Sequence, residues 1–534
     1  MNAPVFSETN TWLDKENTSI YLLLIIIAAS FVLICELGVM PLWGSEGRWA
    51  LICRHMYRSA EIFSPLIGDS LYWDKPLLSY WLVLPFAYIN GGVTEAILRI
   101  PSAISAIFLL YYTYDIASMW FGKRTAVLSA AVLMTSYGYI FWARNAQVEM
   151  LNTFFILFSI RYFLKHKSDT KHAWIYIFGI IMAIGANMKG LPAYGVPVFS
   201  IIILLIVKKE WPPALTLRSC IATAILSLAV YLAFPLAASY FTKSWDPLQL
   251  VWHENVVRFF EPFDHKGPVW TYFIRIFDLA APWSLLLPAA LIHLLVKYKK
   301  QPASVKELLA LFGGIFIFST LSGSRRSYYL LPIIPFASIL AAHLLISFSE
   351  SSLSRFTDRF VKGFGFLIGF ILIAPLIALV IYPRVFPIAA VKLWPVIMAV
   401  ALLSPCIIYF TNKRQVGKMA GTMVVITFIY TFGIIPLSEQ LPNLRSQVAE
   451  VKSSERVCAF LPKQIDPVLY YMDQPCPVLS DEAAAYDWAV KNKGIVIASD
   501  KLSDKRWLTI VKSRKWDAVA AITPEQETDI QINK

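Results

Sequence analysis

Long apolar runs recur along this 534-residue chain and constrain its fold more than any other feature. A run of about 20 apolar residues is the length that an α-helix needs to cross a hydrocarbon core of roughly 30 Å. Hydrophobic residues make up 57% of the chain and charged residues only 16%. A β-barrel would show short segments of alternating polarity instead of continuous apolar runs. The sequence therefore predicts a polytopic α-helical membrane protein.

Short basic loops between the apolar runs predict the orientation of the chain. Cytoplasmic loops are enriched in Lys and Arg, and six such loops occur here: 123–124, 165–171, 208–209, 297–300, 355–362 and 413–418. With all six inside, the chain has 13 transmembrane helices, a cytoplasmic N-terminus and an outer C-terminus. The predicted spans are 19–40, 96–119, 125–142, 150–165, 173–188, 191–207, 215–236, 271–296, 306–322, 328–347, 361–382, 389–410 and 419–437.

Residues 41–95 are predicted to form one large outer loop. The apolar stretch 76–89 is short for a span, and counting it as one would reverse the orientation of the helix over 96–119. We therefore expect two juxtamembrane helices that lie along the membrane interface. In the first, 46–61, the apolar residues Trp49, Ile52, Cys53 and Met56 have the spacing of an amphipathic interfacial helix.

The character of the chain changes at residue 438. Residues 438–534 carry 13 Lys/Arg and 14 Asp/Glu, a balance of −1, so of the overall net charge of +13 the membrane portion 1–437 carries +14. That location fits cytoplasmic anchoring and contacts with anionic lipids, and it argues against a nucleic-acid partner. Strand-like segments such as "RVCAFLP" and "GIVIASD" alternate with helical ones, which predicts a small periplasmic α/β domain with a mostly parallel sheet. Cys458 and Cys476 either form a disulfide there or are two buried free thiols.

Ionisable and amide side chains collect at the predicted outer ends of the spans. Placing such groups at membrane depth costs free energy, so they mark functional pathways. Carboxylates, a histidine and a surplus of cations predict a cavity for a phosphate-bearing lipid with bond chemistry at its head. The group comprises Glu46, Arg48, Tyr72, Asp74, Lys75, Arg99, Arg144, Asn145, Gln147, Glu149, Lys189, Glu254, Asn255, Arg258, His265, Arg275, Asp278, Arg325 and Arg326.

Seven motifs occur in order along residues 20–435: "GSEGRWA", "LYWDKPLLSYW", "LRIPSA", "ARNAQVEM", "MKGLP", "ENVVRFFEPFDHKGPVWTY" and "SGSRRSYYLLPIIP". Together they resemble the polyprenyl-phosphate-dependent GT-C glycosyltransferases. The ArnT type, which puts aminoarabinose on lipid A, is the most similar branch, and protein O-mannosyltransferases are more distant. The resemblance implies a GT-C type fold with 13 spans, juxtamembrane helices in the first outer loop and a small outer C-terminal domain.

The resemblance also implies an activity. A sugar would pass from a polyprenyl (undecaprenyl) phosphate donor to an acceptor on the periplasmic face of the bacterial inner membrane, with lipid A as the expected acceptor. A polysaccharide, a glycolipid or a protein hydroxyl are alternative acceptors, and the sugar itself is not predicted. A transporter or flippase of a lipid-linked sugar is the alternative from another class. Transporters commonly contain internal repeats, and the 41–95 pattern has no second copy in this chain.

Several cations are candidates for binding the donor phosphate. Arg48 and Lys75 match the phosphate-contacting positions of the family, and Tyr72 could hydrogen-bond the same phosphate. Arg258, Arg325 and Arg326 are added because of their charge and predicted side. The alternative for the arginines and lysines is that they only extend toward the interface. Two further features are expected to be structural: an ion pair between Arg275 and Asp278, three residues apart on one helix, and a cap by Lys189 on the turn between two spans.

A divalent metal is a further possibility. Asp74 and His265 match family positions associated with a divalent ion near the donor phosphate, either zinc or magnesium. Two ligands do not make a metal site from protein alone, so phosphate oxygens would have to complete the coordination. A hydrogen-bonding role for His265 is the alternative.

Ser45 occupies the position where the family usually has its first acidic residue. Serine can cap a helix that starts at Glu46, but it carries no negative charge. Glu46, Glu149 and Asp74 are the remaining catalytic carboxylates, with Glu46 or Glu149 as the general base if one is needed. A hydroxyl acceptor needs a base, whereas a phosphate monoester, with a second pKa of about 6, is already anionic. Ser45 thus favours a phosphate acceptor such as lipid A.

Overall fold

A computed structural model describes most of the chain. The described residues are 18–68, 70–252, 267–296, 298–381, 388–436, 444–452, 457–460, 466–473, 478–479, 481–498, 507–512 and 517–521. The membrane portion is built almost entirely from helices. Its principal apolar core lies where the helices Glu95–Met134 and Ile334–Ser349 pack together, with Trp283 among the buried side chains.

The α-helices of the membrane portion differ widely in length, from one turn to 40 residues. They are Thr18–Ile34, Glu46–Ser59, Leu78–Trp81, Leu84–Asn90, Glu95–Met134, Tyr137–Ala143, Glu149–His166, Ala173–Lys189, Pro192–Lys208, Leu217–Thr242, Asp246–Trp252, Thr271–Leu279, Leu287–Leu295, Ala303–Leu321, Ile334–Ser349, Arg355–Ile381, Ile388–Asn412 and Val416–Ile429. Short 3₁₀ or π turns extend several of them, at Trp283–Leu286, Tyr298–Lys300, Ser327–Ile333 and Tyr430–Ile434.

Helices of membrane-crossing length and composition recur among the described residues. Seven are long and apolar enough to cross a bilayer, and four shorter apolar helices accompany them. The seven lie within Glu95–Met134, Leu217–Thr242, Ala303–Leu321, Ser327–Ser349, Arg355–Ile377, Trp394–Asn412 and Val416–Gly433. The chain is thus a multi-pass membrane protein, and the count of 13 spans and the sidedness of the termini stay predictions.

Two of the predicted spans, 96–119 and 125–142, correspond to two helical segments within Glu95–Met134. The segments meet at Gly122, whose φ of +81° is a conformation that favours glycine and takes the backbone out of helical geometry. The basic pair Lys123 and Arg124 directly follows this break. The second predicted span also ends early, because Ser136 adopts an extended backbone before the short helix Tyr137–Ala143.

The predicted span 271–296 is divided as well. Its helix ends at Leu279 and resumes as a 3₁₀ turn at Trp283. Pro282 lies between the two pieces, and proline has no backbone N–H to continue the helical ladder. Span 328–347 likewise begins as the 3₁₀ turn Ser327–Ile333 before it becomes α-helical. Apolar composition predicted these segments, but not their breaks.

The helix Glu46–Ser59, called the loop helix below, has the amphipathic pattern predicted for it. Trp49, Ile52, Cys53 and Met56, the four predicted apolar positions, are all buried. They pack against the short helices of the 76–89 stretch, where Tyr80 and Ala87 are buried too. Neither of these short helices is long enough to cross a membrane. The apolar face of the loop helix is thus covered by the rest of the 41–95 loop.

The C-terminal region contains helices and a five-stranded sheet. Its helices are Leu444–Lys452, Asp466–Met472 and Glu482–Asn492. In chain order the strands are Val457–Phe460, Val478–Leu479, Ile495–Ala498, Trp507–Lys512 and Asp517–Ala521. The first strand pairs in parallel with the second and third.

The predicted parallel pairing is present in three of the five strands, but the sheet as a whole is mixed. Strand Asp517–Ala521 pairs antiparallel both with Ile495–Ala498 and with Trp507–Lys512. Only four residues separate the last two strands in sequence. A connection that short can join antiparallel neighbours, whereas parallel neighbours need a crossover of a dozen or more residues. The domain boundary at residues 437/438 stays a prediction, and the proposed Cys458–Cys476 pair lies partly outside the described residues.

The helix Asp466–Met472, called the docking helix below, packs against the loop helix. Its backbone approaches so closely at Gly47 that a Cβ there would stand 2.2 Å from the Pro467 nitrogen. Gly92, in the same 41–95 loop, has open space where its Cβ would be. The absence of a side chain at Gly47 therefore lets the C-terminal region reach the loop helix.

We expect Gly47→Ala to destabilise the protein by about 1–3 kcal/mol, because a methyl group has no room against the docking helix. Thermal unfolding of the purified protein in detergent measures this, and limited proteolysis reports whether the C-terminal region detaches first. Gly92→Ala is the matched control and should leave both unchanged. An unaltered melting temperature in Gly47→Ala would show that the two helices separate easily.

Candidate functional site

The loop helix begins at a buried carboxylate. Glu46 is 0% exposed, and its two oxygens accept hydrogen bonds from Arg99 at 2.8 and 2.7 Å. The Ala146 and Trp43 N–H groups donate to the same carboxylate at 2.6 and 2.8 Å. All four contacts are charge-assisted or backbone hydrogen bonds, which are strong in a buried setting. They leave Glu46 without access to a substrate.

This geometry favours a structural role for Glu46 over the general-base role predicted from the sequence. A base must reach the proton that it removes, and the carboxylate of Glu46 is enclosed by protein. The capping prediction for Ser45 was also wrong in its detail. The helix does start at Glu46, but the Ser45 side chain makes no capping hydrogen bond. The Glu46 carboxylate instead holds the Trp43 N–H in the turn before the helix.

Arg48 follows Glu46 by two residues on the loop helix. It is partly exposed and lies at the centre of a charged cluster. Its guanidinium donates to the Tyr72 hydroxyl, lies 3.6 Å from the Asp74 carboxylate, and lies 3.0 Å from the Asp466 carboxylate. Its side chain is 25% exposed. The arginine is therefore anchored but still reachable from the solvent-facing side.

The electrostatics of this cluster keep Arg48 charged and Tyr72 protonated. Burial alone would lower the pKa of Arg48, but Tyr72, Asp466 and Asp74 outweigh it and raise that pKa above its ordinary value. Burial, helped by the negative charge of Asp74, raises the pKa of the Tyr72 hydroxyl. Since Tyr72 accepts from Arg48, its own proton can be donated to a ligand oxygen.

Lys75 and Asp74 form the second part of the cluster. The Lys75 ammonium lies 2.8 Å from the Asp74 carboxylate and 3.0 Å from the Asp74 carbonyl oxygen. Both residues line a cavity together with Trp73, Asn187 and Lys189. The structure thus brings Arg48, Tyr72, Asp74 and Lys75 together, as the family resemblance implied for Arg48 and Lys75.

Lys189 reaches the same cavity from the end of the helix Ala173–Lys189. It forms an ion pair with Glu149, and its ammonium lies 4.5 Å from the centre of the Tyr329 ring. Both members of the pair are largely buried. The prediction that Lys189 caps a turn missed this contact. Its position in "MKGLP", an isolated cation closing an apolar helix, was the available signal.

Arg325 and Arg326 lie at the edge of this region with different contacts. Arg325 donates to the backbone oxygens of Gly267 and Thr320, so it joins two segments of the chain. Arg326 donates to the hydroxyl of Tyr328, whose ring also neighbours Lys189. Arg258 and His265 lie outside the described residues. The phosphate-binding roles of all these arginines stay predictions.

Three further residues of the predicted outer group have structural contacts. Arg275 and Asp278 form the predicted ion pair, at 2.8 Å and about half exposed. Arg144 donates to backbone oxygens of Val32, Cys35 and Glu36 at the end of the first helix. Carbonyl groups at the end of a helix lack the N–H groups of a following turn as hydrogen-bond donors. The Arg144 guanidinium supplies donors in their place and so caps the helix end.

The described residues do not fit a divalent metal at Asp74. Its carboxylate already lies between the cations of Lys75 and Arg48, and a metal would add positive charge to that surrounding. No group of three or more His, Cys, Asp or Glu suited to a metal ion occurs among the described residues. The zinc or magnesium prediction depends on His265, which lies outside them.

An apolar groove adjoins this cavity. It is lined by Phe178, Met182, Tyr194, Leu228, Leu232 and Trp252, among other apolar side chains. Tyr231 and Val251 line both the groove and the polar cavity. Sequence analysis did not identify this groove, because its lining residues look like ordinary membrane-helix residues.

Two residues of the site carried no sequence signal. Asp466 lies in the C-terminal region, far from every motif in sequence. It is the first residue of the docking helix, and the packing of that helix brings it to Arg48. Asn187 lies in the polar cavity, and its buried side-chain oxygen has no hydrogen-bond partner among the described residues. A buried amide oxygen without a partner is uncommon and is available to a ligand donor.

We expect Glu46→Gln to lower the stability of the fold by about 3–5 kcal/mol, because it leaves the buried Arg99 charge uncompensated. Thermal unfolding of the purified variant measures this loss. If Glu46 were the base, turnover would fall while the melting temperature stayed the same. Asp278→Asn, which breaks a half-exposed ion pair, is the control and should cost less than about 1 kcal/mol.

Known glycosyltransferases match large parts of this chain. Residues 74–239 match the model of the dolichyl-phosphate-mannose-protein mannosyltransferase family. The chain is 26% identical over 339 residues to the undecaprenyl phosphate-alpha-4-amino-4-deoxy-L-arabinose arabinosyl transferase of Pectobacterium atrosepticum, covering 62% of this chain and 60% of that protein. It is 24% identical over 459 residues to the protein of the same name from Shewanella sediminis, covering 82% and 81% of the two chains.

A solved structure has the same fold. The crystal structure of ArnT from Cupriavidus metallidurans bound to undecaprenyl phosphate matches with a TM-score of 0.68 and 17% identity, covering 94% of this chain and 98% of that one. The resemblance that the seven motifs indicated is thereby confirmed. The chain has the GT-C fold and is similar in sequence to the ArnT-type and dolichyl-phosphate-mannose-type glycosyltransferases.

Proposed function

We propose that this protein is a glycosyltransferase of the bacterial inner membrane. It moves a sugar from a polyprenyl (undecaprenyl) phosphate donor to lipid A on the periplasmic face. The observation that carries the proposal is that a cavity with Asp74, Lys75 and Lys189 in its lining adjoins an apolar groove, with which it shares Tyr231 and Val251. A lipid phosphate is the ligand whose two parts need those two surroundings.

The cationic side of the cavity suits a leaving lipid phosphate. In the transfer, an acceptor oxygen forms a bond to the anomeric carbon, and the bond from that carbon to the donor phosphate oxygen breaks. The phosphate leaves with the electron pair and gains one negative charge. Arg48 and Lys75, with the Tyr72 hydroxyl as donor, stabilise that charge where it develops.

The carboxylates of the site favour an anionic acceptor. Glu46 is paired with Arg99, Glu149 with Lys189, and Asp74 with Lys75. Each of these carboxylates already has a cation as its partner, so none of them is placed as an unpaired base toward an acceptor hydroxyl. A phosphate on lipid A attacks as an anion and needs no base. With a hydroxyl acceptor, Glu149 is the best candidate to accept the proton, since its partner Lys189 lines the cavity.

Mass spectra of lipid A from cells that lack the gene, compared with complemented cells, test this proposal. We expect a sugar-sized mass to disappear in the deletion strain and to return with the wild-type gene. Lys75→Ala should restore little of it, with transfer reduced by about 10²–10³-fold, because a cation at the leaving phosphate is lost. Arg275→Gln, a change at a half-exposed surface ion pair, is the matched control and should restore it fully. Identical spectra in all strains, with the protein expressed, would exclude lipid A as acceptor.

The apolar groove has its own test. Ala224 lines the groove, whereas Ala222 on the same helix is not among the lining residues. We expect Ala224→Trp to raise KM about tenfold for a donor with a long undecaprenyl chain, since its indole blocks area that the chain would bury. A farnesyl donor should be affected much less. Equal effects of Ala224→Trp and Ala222→Trp would mean that the chain lies elsewhere.

A further inference from the structure

The C-terminal region contributes a buried carboxylate to the charged cluster of the site. Asp466 lies 3.0 Å from the Arg48 guanidinium, and its side chain is only 6% exposed. Its partner is one of the two cations proposed to bind the donor phosphate, and this inference rests on that proposed function. A carboxylate next to such a cation competes with the phosphate for the same positive charge.

The docking helix is held firmly enough to keep Asp466 there. The Tyr470 hydroxyl donates to the backbone carbonyl oxygen of Val93 at 2.7 Å. The Arg54 guanidinium donates to the backbone carbonyl oxygen of Tyr470 at 2.8 Å. The Arg54 guanidinium also stacks 3.8 Å above the Tyr470 ring. Nearby, the Tyr471 hydroxyl donates to Glu95 at 2.9 Å. Together these bonds fasten the docking helix to the 41–95 loop and to the helix that follows it.

The charges around the proposed phosphate position are balanced. Arg48 and Lys75 carry two positive charges, and Asp74 and Asp466, each within 3.6 Å of one of these cations, carry two negative charges. Asp74 comes from the same loop as the cations, but Asp466 does not. Without Asp466 the cluster would carry one net positive charge. The C-terminal region therefore sets the net charge that a phosphate meets.

We propose that Asp466 is an affinity-setting residue, which weakens the hold of Arg48 on the lipid phosphate so that the product is released. The product is a phosphate monoester with a charge of about −1.5 to −2 at pH 7. The donor is a diester with a single charge. Repulsion by a fixed carboxylate grows with the charge of the ligand, so Asp466 disfavours the product more strongly than the donor.

The direct test is the affinity of the full-length protein for two probes in lipid nanodiscs. Native mass spectrometry measures binding of undecaprenyl phosphate, a monoester, and of its methyl ester, a diester. We expect Asp466→Asn to bind the monoester about three- to tenfold more tightly than the wild type, with a smaller gain for the diester. Asp473→Asn is the matched control. Asp473 lies just after the same helix and pairs with Arg54 and Arg58, so its affinities should not change.

A gain of affinity separates this role from a structural one, because a damaged interface would weaken binding. Equal or weaker monoester binding by a folded Asp466→Asn overturns the inference. If this variant melts below the assay temperature, Asp466→Ser makes the same comparison with the same expected sign. A wild-type protein that binds neither probe would overturn the proposed function itself. Wild-type binding with an unchanged variant would overturn only the role of Asp466.

Discussion

The buried ion pair between Glu46 and Arg99 is the interaction on which the geometry of the site depends. Arg99, on the long helix Glu95–Met134, also donates to the backbone oxygens of Leu37, Met40 and Pro41. The pair therefore joins the end of the first helix, the start of the loop helix and the segment before Glu149. Arg48 lies only two residues after Glu46, so its position follows from this pair. Such a pair is costly to break in a low-dielectric interior, because either charge alone would remain buried.

Charge pairing extends from this anchor through the whole site. Each candidate carboxylate has a cation beside it, and the cations proposed to bind phosphate have carboxylates beside them. A site of this kind is nearly neutral before the ligand arrives. It can stabilise charge that appears during a reaction without holding an anion too tightly beforehand, which is the requirement for differential binding of a transition state.

The site also joins parts of the chain that the sequence presents as separate. The loop helix provides Arg48, the helix Ala173–Lys189 provides Lys189, and the docking helix provides Asp466. Apolar side chains of three further helices, Pro192–Lys208, Leu217–Thr242 and Asp246–Trp252, line the adjoining groove. The C-terminal region is thus in direct contact with the charged cluster, and its contribution is electrostatic as well as structural.

The sequence by itself determined the features that depend on local patterns. Apolar runs identified the membrane helices, the spacing of Trp49, Ile52, Cys53 and Met56 identified the buried face of the loop helix, and the i,i+3 spacing identified the Arg275–Asp278 pair. Motifs close together in sequence, such as Tyr72, Asp74 and Lys75, also indicated one cluster.

Only the tertiary structure decided which distant charges meet. Glu46 and Arg99 are 53 positions apart, Glu149 and Lys189 are 40 apart, and Asp466 lies in a different region from Arg48. The same structure turned Glu46 from a candidate base into an anchor and divided spans that looked continuous. The physical reason is that periodicity reports the environment of a side chain along its own helix, whereas an ion pair between helices depends on how those helices pack.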